Sequence, residues 1–294
     1  MKEQTGGRWE IQIHMGEVLA KAANGLDGLK AKSFEVALMS TMYHPGKTPM
    51  RGVFELPFFA PPTLGAAYEW INTVVNGSPA IQKEMDSWNA KVLFSYGVGP
   101  YEYMGKIPFK KVEDLKGNRI RLDPISGAPL EQYGAVMNNI PGPEIYTALE
   151  RGMIDSVIFA WPYTFGTYKL NELSKYATLG VEVKIADMYV ACTKDAWNAL
   201  PDEWKKLSEA ATAKTIERYL DFRKTDDGKW LDIFKKQQME IIQLDPAERA
   251  KLVDKAKPSW DAWMKDIDGK GLPGTELFKF AQAKKDEILA KSKK

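Results

Sequence analysis

The sequence predicts an α/β fold, and three observations support this prediction. Apolar or alternating segments typical of strands are separated by segments with helical periodicity along the whole chain, which favours mostly parallel sheets. The chain has 294 residues, enough for one large domain or for two lobes with a substantial core. No repeat or low-complexity linker interrupts the alternation, so strands or helices must connect any two lobes.

In the first third of the chain, strand-like segments alternate with helical ones. The glycines that follow "MKEQT" are a signal for a helix end. The predicted strands are "RWEIQIHM", "SFEVALMS" and "KVLFSYGVGP". Helical periodicity covers residues 22–31 and 63–89, whereas the prolines of "RGVFELPFFAPP" indicate a loop or a sheet edge.

The remainder of the chain continues the alternation. "RIRLD" and "MIDSVIFAWP" are predicted strands, and "GAPLEQYGA" and "GPEIYTALERG" are predicted helices. Further helices are expected over residues 203–236, 246–265 and 275 to the lysine-rich end.

The segment "LKGNRIRLDP" draws attention to one arginine. Gly117 starts a turn and Pro124 ends the strand, so side chains between them alternate between two faces. Ile120 lies on one face, and Arg119 and Arg121 lie on the other. Arg121 is therefore predicted at the carboxyl end of a strand, which is where ligands bind in open α/β sheets.

Composition excludes several classes of protein. The net charge of +2 gives no sign of a nucleic-acid groove, so no nucleic-acid partner is expected. No apolar run reaches the ~18 residues that span a bilayer, so we expect a chain that is not itself embedded in a membrane. Cys192 is the single cysteine, so no intramolecular disulfide can form. The residues after Met1 do not form a signal peptide.

Sequence signatures of enzymes are missing, so we predict a protein that is not an enzyme and has no cofactor. "GKT" resembles the end of a phosphate loop, but Thr41 stands where that loop needs its first glycine. His14 and His44 lack cysteine support, and each is expected to be structural or to form a hydrogen bond in a pocket. A Ser-His-Asp triad assembled from distant segments stays open, and nothing in the sequence points to one.

One long segment resembles a known family. "EDLKGNRIRLDPISGAPLEQYGAVMNNIPGPEIYTALERGMIDSVIFAWP" is similar to the solute-binding proteins of tripartite ATP-independent periplasmic (TRAP) transporters. The matching elements include "LKG", Arg121, Gly134-Ala135 and the pattern from Glu144 to Asp155. "VFELPF" and "LPDEWKKL" also look like family landmarks, so the similarity covers nearly the whole chain.

The resemblance implies a type II periplasmic-binding-protein-like fold, in which two α/β lobes close on a ligand. It also implies an organic acid as ligand, TRAP membrane permease subunits as partners and a periplasmic location. Relatives begin with a signal peptide, a strand and most of a helix, so we expect a native product longer than this sequence, whether the start was assigned late or the sequence is a fragment. A ligand sensor coupled to a signalling partner is the alternative.

We predict lobes that are each discontinuous in sequence. Residues 1–98 and 187–228 are expected to form the first lobe, and residues 99–186 and 229–294 the second. Strands and a long helix would connect them.

The resemblance assigns Arg121 the role of pairing with the ligand carboxylate. A guanidinium group presents a fixed fork that matches a carboxylate, which agrees with this role. The alternative is that Arg121 forms an ion pair with Asp123 or another acid, and for Arg119 such a surface pair is the expectation. Asp123 stands where many relatives have proline, and we expect it to point away.

The rest of the predicted pocket is aromatic. Tyr101 stands where some relatives have a second arginine, and Phe159, with Trp161 beyond it, stands where an asparagine is frequent. Ser40 and Tyr43 are expected to contribute from the first lobe. Aromatic walls favour a monocarboxylate with an apolar or aromatic body. The alternative for Phe159 and Trp161 is that they belong to the core.

Overall fold

A computed structural model describes residues 2–44 and 46–291 and confirms the α/β class. Its strands are β1 (Val36–Ser40), β2 (Ala90–Val98), β3 (Tyr101–Gly105), β4 (Arg119–Arg121), β5 (Val136–Asn138), β6 (Ser156–Ala160), β7 (Tyr176–Leu179), β8 (Ala186–Thr193) and β9 (Glu240–Gln243). Its α-helices are α1 (Gly25–Lys30), α2 (Leu64–Gly77), α3 (Pro79–Asp86), α4 (Pro124–Glu131), α5 (Ile145–Glu150), α6 (Tyr163–Thr167), α7 (Lys194–Ala199), α8 (Asp202–Lys236), α9 (Pro246–Asp254), α10 (Ala256–Gly269) and α11 (Gly274–Lys291).

The strands form two separate sheets. The smaller sheet has the order β1-β8-β2, and both outer strands run antiparallel to β8. The larger sheet has the order β5-β4-β6-β3-β7-β9, with β4 parallel to both of its neighbours and β3 antiparallel to both of its own. The prediction of mostly parallel sheets is therefore wrong for the smaller sheet. Its strands β2 and β8 carry the chain out to the larger sheet and back, so they run in opposite directions.

Two short crossovers connect the sheets, one at Gly99-Pro100 and one over residues 180–185. The second crossover is hydrogen-bonded to Tyr101, the residue directly after the first. Tyr101 N–H donates to the Lys184 carbonyl (2.9 Å), and Val183 N–H donates to the Tyr101 carbonyl (3.2 Å). Helix α8 contacts both sides. Tyr219 Oη donates to the Gly97 carbonyl (2.9 Å), and Arg223 donates to the Trp161 carbonyl (2.8 Å).

Each sheet has its own apolar core. The cluster of the larger sheet includes Ile120, Val157 and Phe165, and that of the smaller sheet includes Trp70 and Tyr189. Trp263, Leu277 and Ala281 of α10 and α11 belong to the smaller sheet's cluster, and Trp70 Nε1 donates to the Ala281 carbonyl (2.8 Å).

The predicted lobes differ from this packing at one place. We placed residues 229–294 in the second lobe, but apolar residues of α10 and α11 belong to the cluster of the smaller sheet. Helix α11 packs on α2, and α10 packs on α11 and α4. We therefore propose that these two helices belong to the first lobe. Residues 292–294, which the prediction also assigned to the second lobe, lie outside the described residues, as does Met1 of the first lobe.

The predicted strand "RWEIQIHM" is wrong. The structure assigns no strand there, and Ile13 and Met15 are largely exposed. Trp9 instead stacks on Trp204 of α8, with ring centroids 5.5 Å apart. Alternation gives a strand only where a neighbouring strand accepts its hydrogen bonds, and none does so here among the described residues.

Candidate functional site

The local sequence places Arg121 as predicted. Gly117 adopts a positive φ of 74°, which suits glycine at the turn before β4. β4 then ends at Arg121, and the Asp123 carboxylate caps α4 by accepting the Ser126 N–H (2.9 Å). Pro124 occupies the first turn of α4, where a missing N–H costs nothing.

Arg121 is fully buried and has no acidic partner among the described residues. Its Nε donates to the Ile140 carbonyl (2.8 Å), and its Nη2 lies 3.6 Å from the sulfur of Met42. Its Nη1 has no hydrogen-bond partner in the described part of the chain. The guanidinium carbon lies 4.5 Å from the centroid of the Phe159 ring.

Two carboxylates close to β4 are paired with other cations. Asp155 forms an ion pair with Arg119 (2.6 Å), and this hydrogen bond lowers the pKa of Asp155. Asp123 forms an ion pair with Lys184 (2.5 Å) and so points away from Arg121. Burying a charge without a counter-ion costs free energy, so an external anion that paired with Arg121 would stabilise this arrangement.

Segments next to the two sheets meet over Arg121. Tyr43, just after β1, accepts the Gly142 N–H with its hydroxyl oxygen (3.0 Å). Asn139, just after β5, donates to the Met42 carbonyl (3.0 Å). Arg121 is therefore enclosed at the junction of the sheets, where relative movement of the two sides would open or close access.

Aromatic rings surround the guanidinium. Phe159 makes an edge contact with Tyr101 (5.6 Å between centroids) and a tilted contact with Tyr168 (5.8 Å). Burial raises the pKa of Tyr101 well above its usual value, although nearby Arg121 opposes this change. Tyr101 is therefore a neutral phenol at physiological pH. The three rings near Arg121 are apolar apart from the hydroxyl groups of the two tyrosines.

Two predicted site residues have other contacts. Trp161 packs on Phe165 and Phe234, with centroids 5.7 and 5.3 Å away, so its ring lies in the core of the larger sheet. This placement corresponds to the core alternative for Trp161. Ser40 is buried at the end of β1 and donates to the Asp187 carbonyl (3.3 Å), a contact within the smaller sheet.

Three residues around Arg121 were missed by the sequence reasoning. Met42 contacts the guanidinium, Asn139 contacts Met42, and Tyr168 contacts Phe159. Met42 lies between Ser40 and Tyr43, two predicted site residues, so its position in the sequence could have indicated it. Asn139 and Tyr168 carried no comparable signal, because their approach depends on how the two sheets meet.

The described residues contain no group of three or more side chains arranged to hold a metal ion. His44 is buried, and burial lowers its pKa to about 4, so its imidazole is neutral at physiological pH. Across residues 2–44 and 46–291, no helix has the length and apolarity needed to cross a bilayer.

Two sheets with separate cores, connected by two short crossovers, give the two-lobed α/β architecture that was predicted. The chain belongs to the family described as bacterial extracellular solute-binding protein, family 7, which matches residues 1–266. The prediction of a TRAP solute-binding protein is thereby confirmed.

Individual relatives show how diverse the family is. The chain is 30% identical over 216 residues to a monocarboxylate 2-oxoacid-binding periplasmic protein of a Nostoc species; the match covers 72% of this chain and 58% of that protein. It is 22% identical over 254 residues to a C4-dicarboxylate-binding periplasmic protein of Rhodobacter capsulatus, covering 85% of this chain and 74% of that protein.

Solved structures show the same fold. A TRAP solute-binding protein from Rhodoferax ferrireducens, in complex with benzoate, has a TM-score of 0.86 at 22% identity and covers 99% of this chain and 91% of its own. One from Desulfovibrio salexigens, with bound orotic acid, has a TM-score of 0.85 at 21% identity and covers 98% and 91%.

Proposed function

We propose that the chain is the solute-capturing component of a TRAP transporter and that Arg121 binds the carboxylate of an organic acid. The observation that carries this proposal is a fully buried guanidinium with no acidic partner among the described residues. A carboxylate matches its fork with two charge-assisted hydrogen bonds and supplies the missing counter-charge.

The surroundings of Arg121 favour one carboxylate and an apolar or aromatic body. The neighbouring cations Arg119 and Lys184 already have acidic partners, which leaves no second free cation for a dicarboxylate in this part of the structure. Phe159 and Tyr101 offer flat apolar surfaces next to the guanidinium. The relative from Nostoc is named for monocarboxylates, and the structure from Rhodoferax ferrireducens holds benzoate, which supports this ligand class.

Capture would proceed by closure of the two lobes. Arg121, at the larger sheet, binds the carboxylate first, and Tyr43 and Met42 then cover it from beside the smaller sheet. The ligand favours the closed form through the contacts that exist only in that form. The closed protein then delivers the acid to the TRAP permease in the membrane, and the capturing step takes place in the periplasm.

A thermal-shift screen followed by calorimetry tests the proposal. The panel contains pyruvate, a branched 2-oxoacid, benzoate, succinate and glucuronate, and we expect the monocarboxylates to stabilise the protein most. Arg121→Ala should weaken binding of the best acid at least about 100-fold, because the ligand carboxylate loses its buried counter-charge.

Arg119→Ala is the matched control, because Arg119 lies on the same strand but pairs with Asp155 near the surface. It should leave affinity unchanged. Equal affinities of the Arg121→Ala variant and the unmodified protein would contradict the proposed role of Arg121.

A further inference from the structure

A second buried charged group lies at the junction of the lobes, and the carboxylate site does not use it. Lys184, in the second crossover, forms ion pairs with both Glu55 and Asp123. Glu55 belongs to the 3₁₀ helix Met50–Glu55 beside the smaller sheet, and Asp123 caps α4 beside the larger one. We call Glu55, Lys184 and Asp123 the buried triad.

The buried triad contains one more acid than base. All three side chains are almost completely buried, and Glu55 Oε1 has no hydrogen-bond partner within the described residues. Asp123 is held as an anion, because Lys184 and the Ser126 N–H keep its pKa low despite burial. With Glu55 also ionised, the triad carries a net charge of −1 in a desolvated setting, which costs free energy unless a positive charge is near.

The cation of the carboxylate site, Arg121, lies next to the triad in the sequence. Arg121 is the last residue of β4, and Asp123 follows two positions later as the N-cap of α4. Tyr101 connects the two sites, since its ring lies 5.1 Å from Lys184 Nζ and makes an edge contact with Phe159, on which Arg121 rests. The site and the triad are thus electrostatic neighbours inside one low-dielectric region.

Resting on the proposed function of Arg121, we propose that capture of a carboxylate is coupled to uptake of a proton by Glu55. A bound anion adds a negative charge beside a triad that already carries one excess negative charge. A proton from solvent then adds to the unpartnered Oε1, the Glu55 carboxylate becomes a neutral acid, and Lys184 and Asp123 remain an ion pair.

Other ionisable groups beside the two sheets make their contacts outside the triad. Asp187 on β8 is paired with Arg51, and Glu84 on α3 accepts the backbone N–H groups of Met50 and Arg51. Tyr43 bonds Gly142, and Lys285 of α11 lies over the Phe59 ring, 4.6 Å from its centroid. Within the buried triad, Glu55 is the acid with an oxygen that has no partner among the described residues, since both oxygens of Asp123 are hydrogen-bonded.

Burial places the titration of Glu55 in a measurable range. Desolvation raises its pKa to about 7, with Asp123 adding to this increase and Lys184 opposing it. An added anion raises the pKa further, by about one unit if the charges interact across about 10 Å of protein. Affinity is then highest below the pKa of the free protein, falls as pH rises between the two pKa values, and is constant above both.

Calorimetry on the whole chain tests the coupling, with the acid that stabilises the protein most in the screen as probe. Titrations near pH 7 in phosphate and in imidazole, which differ in ionisation enthalpy, count the protons taken up. We expect uptake of a fraction of one proton and a Kd that rises about tenfold from about pH 6 to about pH 8.5. Glu55→Gln should abolish the uptake and reduce the change in Kd to less than about twofold.

Glu84→Gln is the matched control. Burial also raises the pKa of Glu84 to about 7, but Glu84 contacts the backbone of Met50 and Arg51 instead of the triad. This variant should keep the proton uptake of the unmodified protein. Binding of the probe with identical heats in both buffers and a pH-independent Kd would overturn the coupling and leave the carboxylate site standing. Absence of binding by every acid in the panel would overturn both proposals.

Discussion

Arg51 and Arg121 are both fully buried, but their surroundings differ. Arg51, beside the smaller sheet, forms an ion pair with the equally buried Asp187 and donates to Ser95 Oγ (3.0 Å). Asp187 also accepts from Thr41 Oγ1 (2.9 Å). Arg121, beside the larger sheet, has one carbonyl, one sulfur and one aromatic face.

The comparison distinguishes a cation that is paired within the chain, Arg51, from the cation that we propose binds the ligand, Arg121. Arg51 has its counter-charge, Asp187, within the chain. Arg121 has no counter-charge among the described residues, so its burial costs free energy. Binding of an external anion would recover that free energy. The missing counter-ion, and not burial, is what indicates a ligand site.

The largest effect that this comparison predicts is on stability. Asp187→Asn removes the counter-charge of Arg51 and leaves a buried guanidinium unpaired, which should lower the free energy of unfolding by about 3–5 kcal/mol. Denaturant unfolding measures this loss. The double variant Arg51→Met/Asp187→Leu removes both charges and should recover most of it. A double variant as unstable as the single one would show that packing, and not the unpaired charge, is responsible.

Arg121→Met should change stability in the opposite direction. Removing an unpaired buried charge while keeping an unbranched side chain beside Phe159 should raise the free energy of unfolding of the ligand-free protein by about 1–3 kcal/mol. The same variant should lose ligand binding. A decrease in stability comparable to that of Asp187→Asn would mean that Arg121 has a structural role like that of Arg51.

The contrast between the two arginines explains how far sequence reasoning could go. The turn at Gly117, the strand up to Arg121 and the stop at Pro124 follow from local rules, and all three are present in the structure. The unpaired state of Arg121 could not be predicted, because it depends on which cation forms an ion pair with Asp123. That cation is Lys184, 61 positions beyond Asp123, in the second crossover.

Failures of the sequence reasoning have the same origin. "RWEIQIHM" alternates like "SFEVALMS", but only the second segment has a strand to pair with in the described structure. The helices α10 and α11 show clear periodicity, yet their place in the fold is decided by contacts with other helices, α2 for α11 and α11 and α4 for α10. Long-range pairing, which local patterns do not encode, decided each case.

A smaller effect is expected at the contact that closes over Arg121. Tyr43→Phe removes the hydroxyl oxygen that accepts the Gly142 N–H, a hydrogen bond between the two sides of the junction. The closed form should lose about 1 kcal/mol, which weakens ligand binding about fivefold in calorimetry.

Tyr133→Phe is the control for this prediction. Its hydroxyl donates to the Lys251 carbonyl (3.3 Å), a contact away from the Arg121 pocket, so affinity should not change. Equal affinity losses in both variants would mean that a general loosening, and not closure over the ligand, explains the result for Tyr43.

The smallest effect is expected for Arg119, which shares a strand with Arg121 but forms its ion pair with Asp155 at the surface. Solvent already screens this pair, so Arg119→Ala should lower Tm by less than about 2 °C in dilute buffer. In about 1 M salt the difference from the unmodified protein should vanish, because the Debye length falls to about 3 Å. The Arg121→Met difference should persist in the same salt, because ions do not reach a buried group. If salt removed both differences equally, the two arginines would be equally accessible to solvent and the distinction between them would fail.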